Sequence, residues 1–407
     1  MATTYIGIDL NDKHAIVSYY QSNMNEPMTT GTIAGSEVLT IPTLLAKKKQ
    51  SSQWFYGDEA RKMAKTSEMI CIDALLRRAV AGETILIDDQ AYESRELLAI
   101  FLKKIIEIPM KLGNIAGCDK LILSVDRLSR DNMEVFWSIV PLLGLRPDQF
   151  MAIDHKESFY YFALSQDEPL WLHDVYFFSY DNENMHYLGL KRNPRTTPQV
   201  VTIKESMRLP LDGNKDEEFL RIIQKAFENK IISSVYLLGE GFEGNWMKNS
   251  LTYLCRGRRV FLGNNLFSKG ACYAGYVRDH EDTWKCIYMG ENEMKFNLSL
   301  KIRDKGELAF KTLISAGKNW FETKGQCEVI LSGTSEIDFW KQLPNSREAV
   351  IETLELNDLP KRPDRTTRLR ITVTPIADDA VEVEIKDLGF GEIFKSTEKT
   401  WRYTMTM

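Results

Sequence analysis

Apolar and polar positions follow two different rhythms along this chain. Up to about Asp282, short apolar runs of strand length alternate with stretches of helical spacing; from Met294 onward apolar and polar residues alternate one by one. Tyr5, Gly7 and Asp9 lie in one early run rich in β-formers and Ile16 and Tyr20 in another, with the polar turn Asn11-Asp12-Lys13-His14 between them. Residues 3–20 therefore read as a β-hairpin. A helix begins near Asp58. Leu97, Leu98, Phe101, Leu102, Ile105 and Ile106 repeat at helical spacing and predict an amphipathic helix from Glu93 that falters before Pro109. CDKLILSVD, residues 118–126, is an apolar run of the kind found in a strand buried on both faces.

A helix over 130–143, a strand at 150–154 and an aromatic-rich helix over 157–165 follow. VYFFSYDNENMHYLGLKR, residues 175–192, is a second strand–turn–strand hairpin. After it come the strand-like QVVTIKE, a helix over 217–229, and an apolar strand from 231 running into the glycine turn GEGFEG. A helix over 246–255, the strand RRVFL and the helix SKGACYAGYV complete this part. Residues 68–87 carry only a weak pattern, and Lys47-Lys48-Lys49 reads as a solvated hairpin tip. Strands alternating with helices imply an α/β domain, and two halves that each open with a hairpin imply an internal duplication.

In the last part Phe296, Leu298, Leu300 and Ile302 share one face of a strand, as do Leu369, Ile371 and Val373. Gly, Pro, Asn and Asp punctuate the gaps. The pattern predicts an antiparallel β-sandwich of about eight strands, with a domain boundary between 282 and 293.

Composition narrows the function classes. A net charge of −5 argues against a nucleic-acid protein held by phosphate contacts. The six cysteines are scattered without a CxxC pair, which suggests reduced thiols and no zinc site. No run approaches the roughly 18 apolar residues of a membrane span, and the start lacks a basic-then-apolar signal. A soluble, cytoplasmic protein is expected.

In order and character these pieces resemble the heat-shock chaperone branch of the actin, sugar kinase and chaperone ATPase superfamily. YIGIDLNDKHAIVSYY resembles its first phosphate hairpin, IPTLLA with YGDEA the early strand and helix entry, and LILSVDRLSRDNMEVFWSIVPLLGL the first connecting segment. VYFFSYDNENMHYLGL stands at the second phosphate hairpin, VYLLGEGFEGNWMKNSL at the adenosine segment and FSKGACYAGYV at the second connecting helix. LISAGKNWFETKGQCEVIL and LELNDLPKRPDRTTRLRITVTPIADDAVEVEIKD resemble the chaperones' substrate-binding sandwich. The resemblance implies a bacterial protein with a ribonuclease H-like duplicated, two-lobed actin-like ATPase fold. Its lobes would occupy 1–172 and 173–285, the second shortened, with an antiparallel β-sandwich at 293–407. In the family the lobes close on ATP and the sandwich grips extended peptides.

The chain departs from that pattern where the chemistry sits. Asp9 is kept, but Asn11, Asp12 and Lys13 replace the glycine and hydroxyl residues that let backbone amides approach a phosphate. In the second hairpin Ser179 replaces an acidic residue, Asp181-Asn182-Glu183 a glycine run and Asn184 a threonine. His155 stands where the resemblance places a water-positioning glutamate, and Leu75 aligns with an expected lysine. A carboxylate about 4 Å from a phosphate charge costs from about 1 kcal/mol in water to about 4 kcal/mol at an effective dielectric of 20. Only about 40 residues separate Leu188 from Ile232, too few for the helical subdomain that sandwiches adenine in the family.

These departures predict a non-catalytic, chaperone-like binding or scaffolding protein. It would carry a pseudo-ATPase cleft, need no cofactor or metal, and take protein or extended-peptide partners through the sandwich, with neither nucleic acid nor membrane as partner. The alternative is a divergent ATP-binding chaperone or ATPase of weak activity. It would use Asp9 for hydrated magnesium, Asn11 and Lys13 at the phosphates, and Gly239 and Gly241 against the nucleoside. The bare residues allow further readings. Asp126-Arg127 follows a strand end and suggests an intrachain ion pair. His155 lacks a Cys or Ser partner with a catalytic signature and reads as structural or as an interaction residue. His14 and His186 flank the two turns but lack carboxylates at metal-ligand spacing. Residues 159–172 read mostly as core. The chain ends at Met407 in a strand-like stretch, so no helical lid is expected to follow.

Overall fold

The computed structural model describes residues 2–181 and 183–407. The protein is a mixed α/β structure with many sheets and a C-terminal region of antiparallel strands. It forms two compact units, one made of residues up to Lys191 with Ile203–Trp284, the other of Arg192–Thr202 with Lys285–Met407.

The first unit is built on two sheets. In one, β1 (Thr4–Leu10), β2 (His14–Gln21), β3 (Met28–Thr30), β4 (Lys120–Val125) and β5 (Phe150–Asp154) take the order β5-β4-β1-β2-β3. β1 and β2 are an antiparallel hairpin, whereas β1, β4 and β5 are parallel. Parallel neighbours need crossovers. Helix Ser94–Ile106, closed at its start by a reciprocal Glu93–Glu96 capping box, lies between β3 and β4, and helix Arg130–Ile139 links β4 to β5. Every residue of β1 is buried, as expected for a strand covered on both faces.

The other sheet repeats the scheme. β6 (Asp174–Tyr180), β7 (Asn184–Asn193), β8 (Gln199–Glu205), β9 (Ile232–Leu238) and β10 (Arg259–Leu262) follow along the chain, and those wholly or mainly in this unit take the order β10-β9-β6-β7. Here too the first pair is an antiparallel hairpin, and β6, β9 and β10 run parallel.

Two helices cross between the sheets, α1 (His155–Leu164) after β5 and α2 (Leu266–Asp279) after β10. α2 lies on the first sheet so closely that a Cβ at Gly7 would stand 2.2 Å from the Ser268 carbonyl oxygen. α1 sends Phe159 against Phe177 and Phe162 against Tyr236 of the second sheet, at ring separations of 5.7 and 5.3 Å. The helices meet where a Cβ at Gly270 would lie 2.2 Å from the Ser158 carbonyl oxygen. Each half thus lends its last helix to the other half's sheet.

In the second unit, Gln199–Val201 pair in parallel with the short strand Cys286–Tyr288. Eight longer strands follow: β11 (Asn297–Asp304), β12 (Glu307–Ile314), β13 (Gly325–Leu331), β14 (Glu336–Gln342), β15 (Ala349–Glu355), β16 (Thr367–Ala377), β17 (Ala380–Gly389) and β18 (Thr400–Thr406). They form two antiparallel four-stranded sheets, β12-β11-β14-β15 and β13-β16-β17-β18. Alternate residues from both sheets, among them Phe296, Leu298, Phe339, Ile371 and Val383, share one core.

Two local expectations need correction, and one unassigned segment is resolved. Lys47 is not part of a solvated run: it is only 6% exposed, because its Nζ donates 2.9 Å to Asp88 Oδ2. The weakly patterned 68–87 segment is ordered as strand Met69–Ile72, helix Leu75–Val80 and strand Thr84–Ile87. The helix expected over 246–255 is shorter, Lys248–Leu254, and a tight turn of 3-10 helix, Glu240–Phe242, precedes it. No helix among the described residues is long and apolar enough to cross a membrane.

Candidate functional site

Register alone brings three of the singled-out side chains together. Residues opposite one another in a parallel sheet share a face, and the next on that face lies two positions along. Asp9 stands opposite Ser124, and Ser124 opposite Ile153. Two positions beyond these partners are Asp126 and His155. The group therefore sits at the carboxyl ends of β1, β4 and β5, where open α/β sheets offer their crevices.

His155 is its centre. As the first residue of α1 it is held by the Asp154 N-cap, whose Oδ1 accepts the Glu157 amide at 2.7 Å. Its Nε2 lies 2.8 Å from Asp9 Oδ1. An ionised carboxylate only accepts, so Nε2 carries the proton. The ring stacks flat on Phe267 of α2, centroids 3.8 Å apart and planes at 3°. Nδ1 is 3.7 Å from Asp126 Oδ1, an electrostatic approach without a hydrogen bond. Burial pushes the imidazole pKa down, but the charge and hydrogen bond of Asp9, with Asp126 and Asp154, outweigh it and raise the pKa above its ordinary value. Asp9 is 5% exposed, whereas the Asp126 side chain is 68% exposed. Nearby, Lys156 pairs with Glu205 at 2.9 Å. His186, opposite Ser179 in the second hairpin, is pushed down mainly by burial, against the pull of Glu205 and Asp126.

Both hairpin tips are closed from within. Asn11 Oδ1 accepts the backbone amides of Lys13 and His14, each at 2.9 Å, and Asn11 Nδ2 lies 3.3 Å from His14 Nε2. Asp12 reaches out of the turn, its Oδ1 accepting the Arg77 amide in the first turn of helix Leu75–Val80. In the second tip, Asp181 Oδ1 accepts the amides of Glu183 and Asn184 at 3.0 and 2.8 Å. Asn182 lies outside the described residues. These are two Asx turns at equivalent places in the two halves, and in each the side chain takes up two of the turn's amides.

The glycine turn after β9 has its own structural reasons. Gly239 sits at φ +111°, and a Cβ there would be 2.3 Å from the Tyr180 carbonyl oxygen. Its amide donates to Asn264 Oδ1 at 3.1 Å. The Gly241 carbonyl accepts from the Trp246 indole at 2.9 Å, and buried Phe242 packs among Tyr180, Phe219 and Trp246.

Of the sequence candidates, Asp9 is thus engaged by His155, and Asn11 caps its own turn. Lys13 is an exposed tip residue, while the Gly239 amide is bonded to Asn264 and the Gly241 carbonyl to Trp246. The expected Asp126 pairing is with His155 and not with the adjacent Arg127. Sequence reading missed the Asp9–His155 pair. Its available signal was that both residues close apolar strands in the same sheet. Among the described residues no group of three or more His, Cys, Asp or Glu side chains could hold a metal ion.

Residues 26–291 match the family of unknown function (DUF5716) C-terminal, and residues 293–407 match the domain of unknown function DUF8552. No curated protein matches the chain.

Proposed function

We propose that this chain, which belongs to the family of unknown function (DUF5716) C-terminal, is a non-catalytic, chaperone-like binding or scaffolding protein. Its first unit is read as an actin- and chaperone-type ATPase module whose nucleotide cleft is degenerate. The second unit is read as a sandwich for protein or extended-peptide partners in the cytosol. The identical strand order of the two sheets and the exchange of their last helices support the fold reading.

One observation carries the functional reading: the tip amides of Lys13, His14, Glu183 and Asn184 and the carboxylate of Asp9 are already bonded within the chain. Asn11 and Asp181 hold the tip amides, and His155 holds Asp9. A phosphate would have to displace short internal hydrogen bonds, and magnesium would have to displace an imidazole. Catalysis of phosphoryl transfer rests on free amides and an available metal-binding carboxylate. The partner reading is supported by the outer face of sheet β12-β11-β14-β15. There Phe310, 56% exposed, meets Trp340 edge-on at 5.1 Å beside Ile351.

The test is calorimetric titration of the full chain with magnesium–ATP and with ADP. No binding heat is expected up to millimolar nucleotide. Micromolar binding that Asp9→Ala weakens would overturn the reading in favour of a divergent ATPase.

A further inference from the structure

The two halves share a topology but finish their parallel edges differently. β5, the outer strand of the first sheet, is almost wholly buried, with Phe150 covered by Phe136 and Trp137 of the ten-residue helix before it. β10, its counterpart, is mostly exposed. The helix before it has only seven residues, Lys248–Leu254, and Leu262 of the strand is 65% exposed. β10 pairs with β9 on one side and ends the sheet on the other. Open edges of this kind invite a further strand, and proteins usually cover or charge them.

The charge here is of one sign. Arg256, Arg258 and Arg259 lie within four consecutive positions of a chain whose net charge is −5, and none forms an ion pair among the described residues. Arg258 is held over the rings of Phe227 and Tyr253, at 4.8 and 5.4 Å from their centroids, with its Nη1 buried and the residue as a whole partly exposed. A guanidinium held in place by aromatic stacking loses little freedom when its remaining donors meet a carboxylate. Beside the edge runs an open groove of about 850 Å³ lined by Leu170, Leu172, Ile231, Phe261, Arg258 and Arg259, with Asp167 its one carboxylate.

We infer that β10 is a docking edge for an extended, acidic segment of a partner protein. The segment adds as a strand to β10, sets alternate apolar side chains into the groove, and places its carboxylates against Arg256, Arg258 and Arg259. A four-residue edge at about 3.3 Å per residue spans about 13 Å, so four or five residues of the partner pair directly. The inference stands apart from the reading of the nucleotide cleft and uses a different surface from the sandwich.

The experiment is selection from a random ten-residue peptide display library on the immobilised full chain, counter-selected on the R256E/R259E double variant. Both substituted residues are exposed, and the variant should keep the parent's melting temperature. The retained peptides are expected to be rich in Asp and Glu alternating with β-branched or aromatic residues. Their synthetic forms should bind the double variant and R258A at least tenfold more weakly by fluorescence anisotropy. N-methylation of alternate peptide amides should abolish binding. An absence of retained peptides, retained sequences without acidic excess, or indifference to N-methylation overturns the inference. If the double variant does not fold, counter-selection on R259Q replaces it under the same criteria.

Discussion

At the scale of single residues, His155 is the decisive side chain. Its pKa is raised in the folded chain, so its contribution to stability is complete below the unfolded imidazole value, about 6.5, and is lost as pH rises through the folded value. Replacing it as H155Q should therefore lower the melting temperature more at pH 5.5 than at pH 9, which a pair of calorimetric scans can check. An equal loss at both pH values would mean that the ring acts only by packing on Phe267. The glycines at the helix crossing are equally specific. G270A must push the Ser158 backbone aside, at a cost of about 1–3 kcal/mol or more in urea unfolding. Neither effect was legible in the sequence. His155 lies 146 positions from Asp9 and lacked any local signature of a partner. Gly270 looks like an ordinary small helix residue until the crossing helix is in place.

At the scale of elements, the hairpins were readable because apolar runs flank polar turns. How those turns are closed was not, since Asn or Asp in a turn serves an Asx bond as readily as a ligand. N11A, which removes an acceptor from two amides, should cost about 1 kcal/mol in urea unfolding; a cost near zero would show that solvent replaces the cap fully. In the second unit, Arg362 sits in the charged loop segment KRPDR, yet it is nearly buried and its Nη1 and Nη2 donate to Asp387 at 2.7 and 2.8 Å. Asp387 also accepts from the Gly389 amide and from the Thr397 amide and hydroxyl, so it ties the loop of Arg362 to the loop of Thr397. Burial favours its protonated form, but these donors and Arg362 overcome that and hold the carboxyl well below the usual carboxylate range. Its stabilising contribution is present above about pH 4 and falls away as pH drops toward the folded value. D387A leaves Arg362 unpaired and should cost about 3–5 kcal/mol at pH 7, with the deficit shrinking in acid. Guanidinium unfolding of the isolated substitution at pH 7 and pH 3 checks both parts.

At the scale of the whole molecule, the chain combines an α/β unit built on two sheets with a C-terminal region of antiparallel strands. Nucleotide silence in calorimetry, with peptide capture at β10, is the expected outcome. Periodicity by itself determined the mixed α/β character, the antiparallel strands after the change of rhythm near Asp282, the twin hairpins and most of the core, because burial imposes its period on each element locally. Only the tertiary structure decided what the polar residues do. Asp9 finds His155 through strand register, Lys47 finds Asp88, and β10 is left open where β5 is covered. The physical reason is that an apolar residue needs only to be hidden, whereas a polar one is defined by a partner that chain spacing does not name.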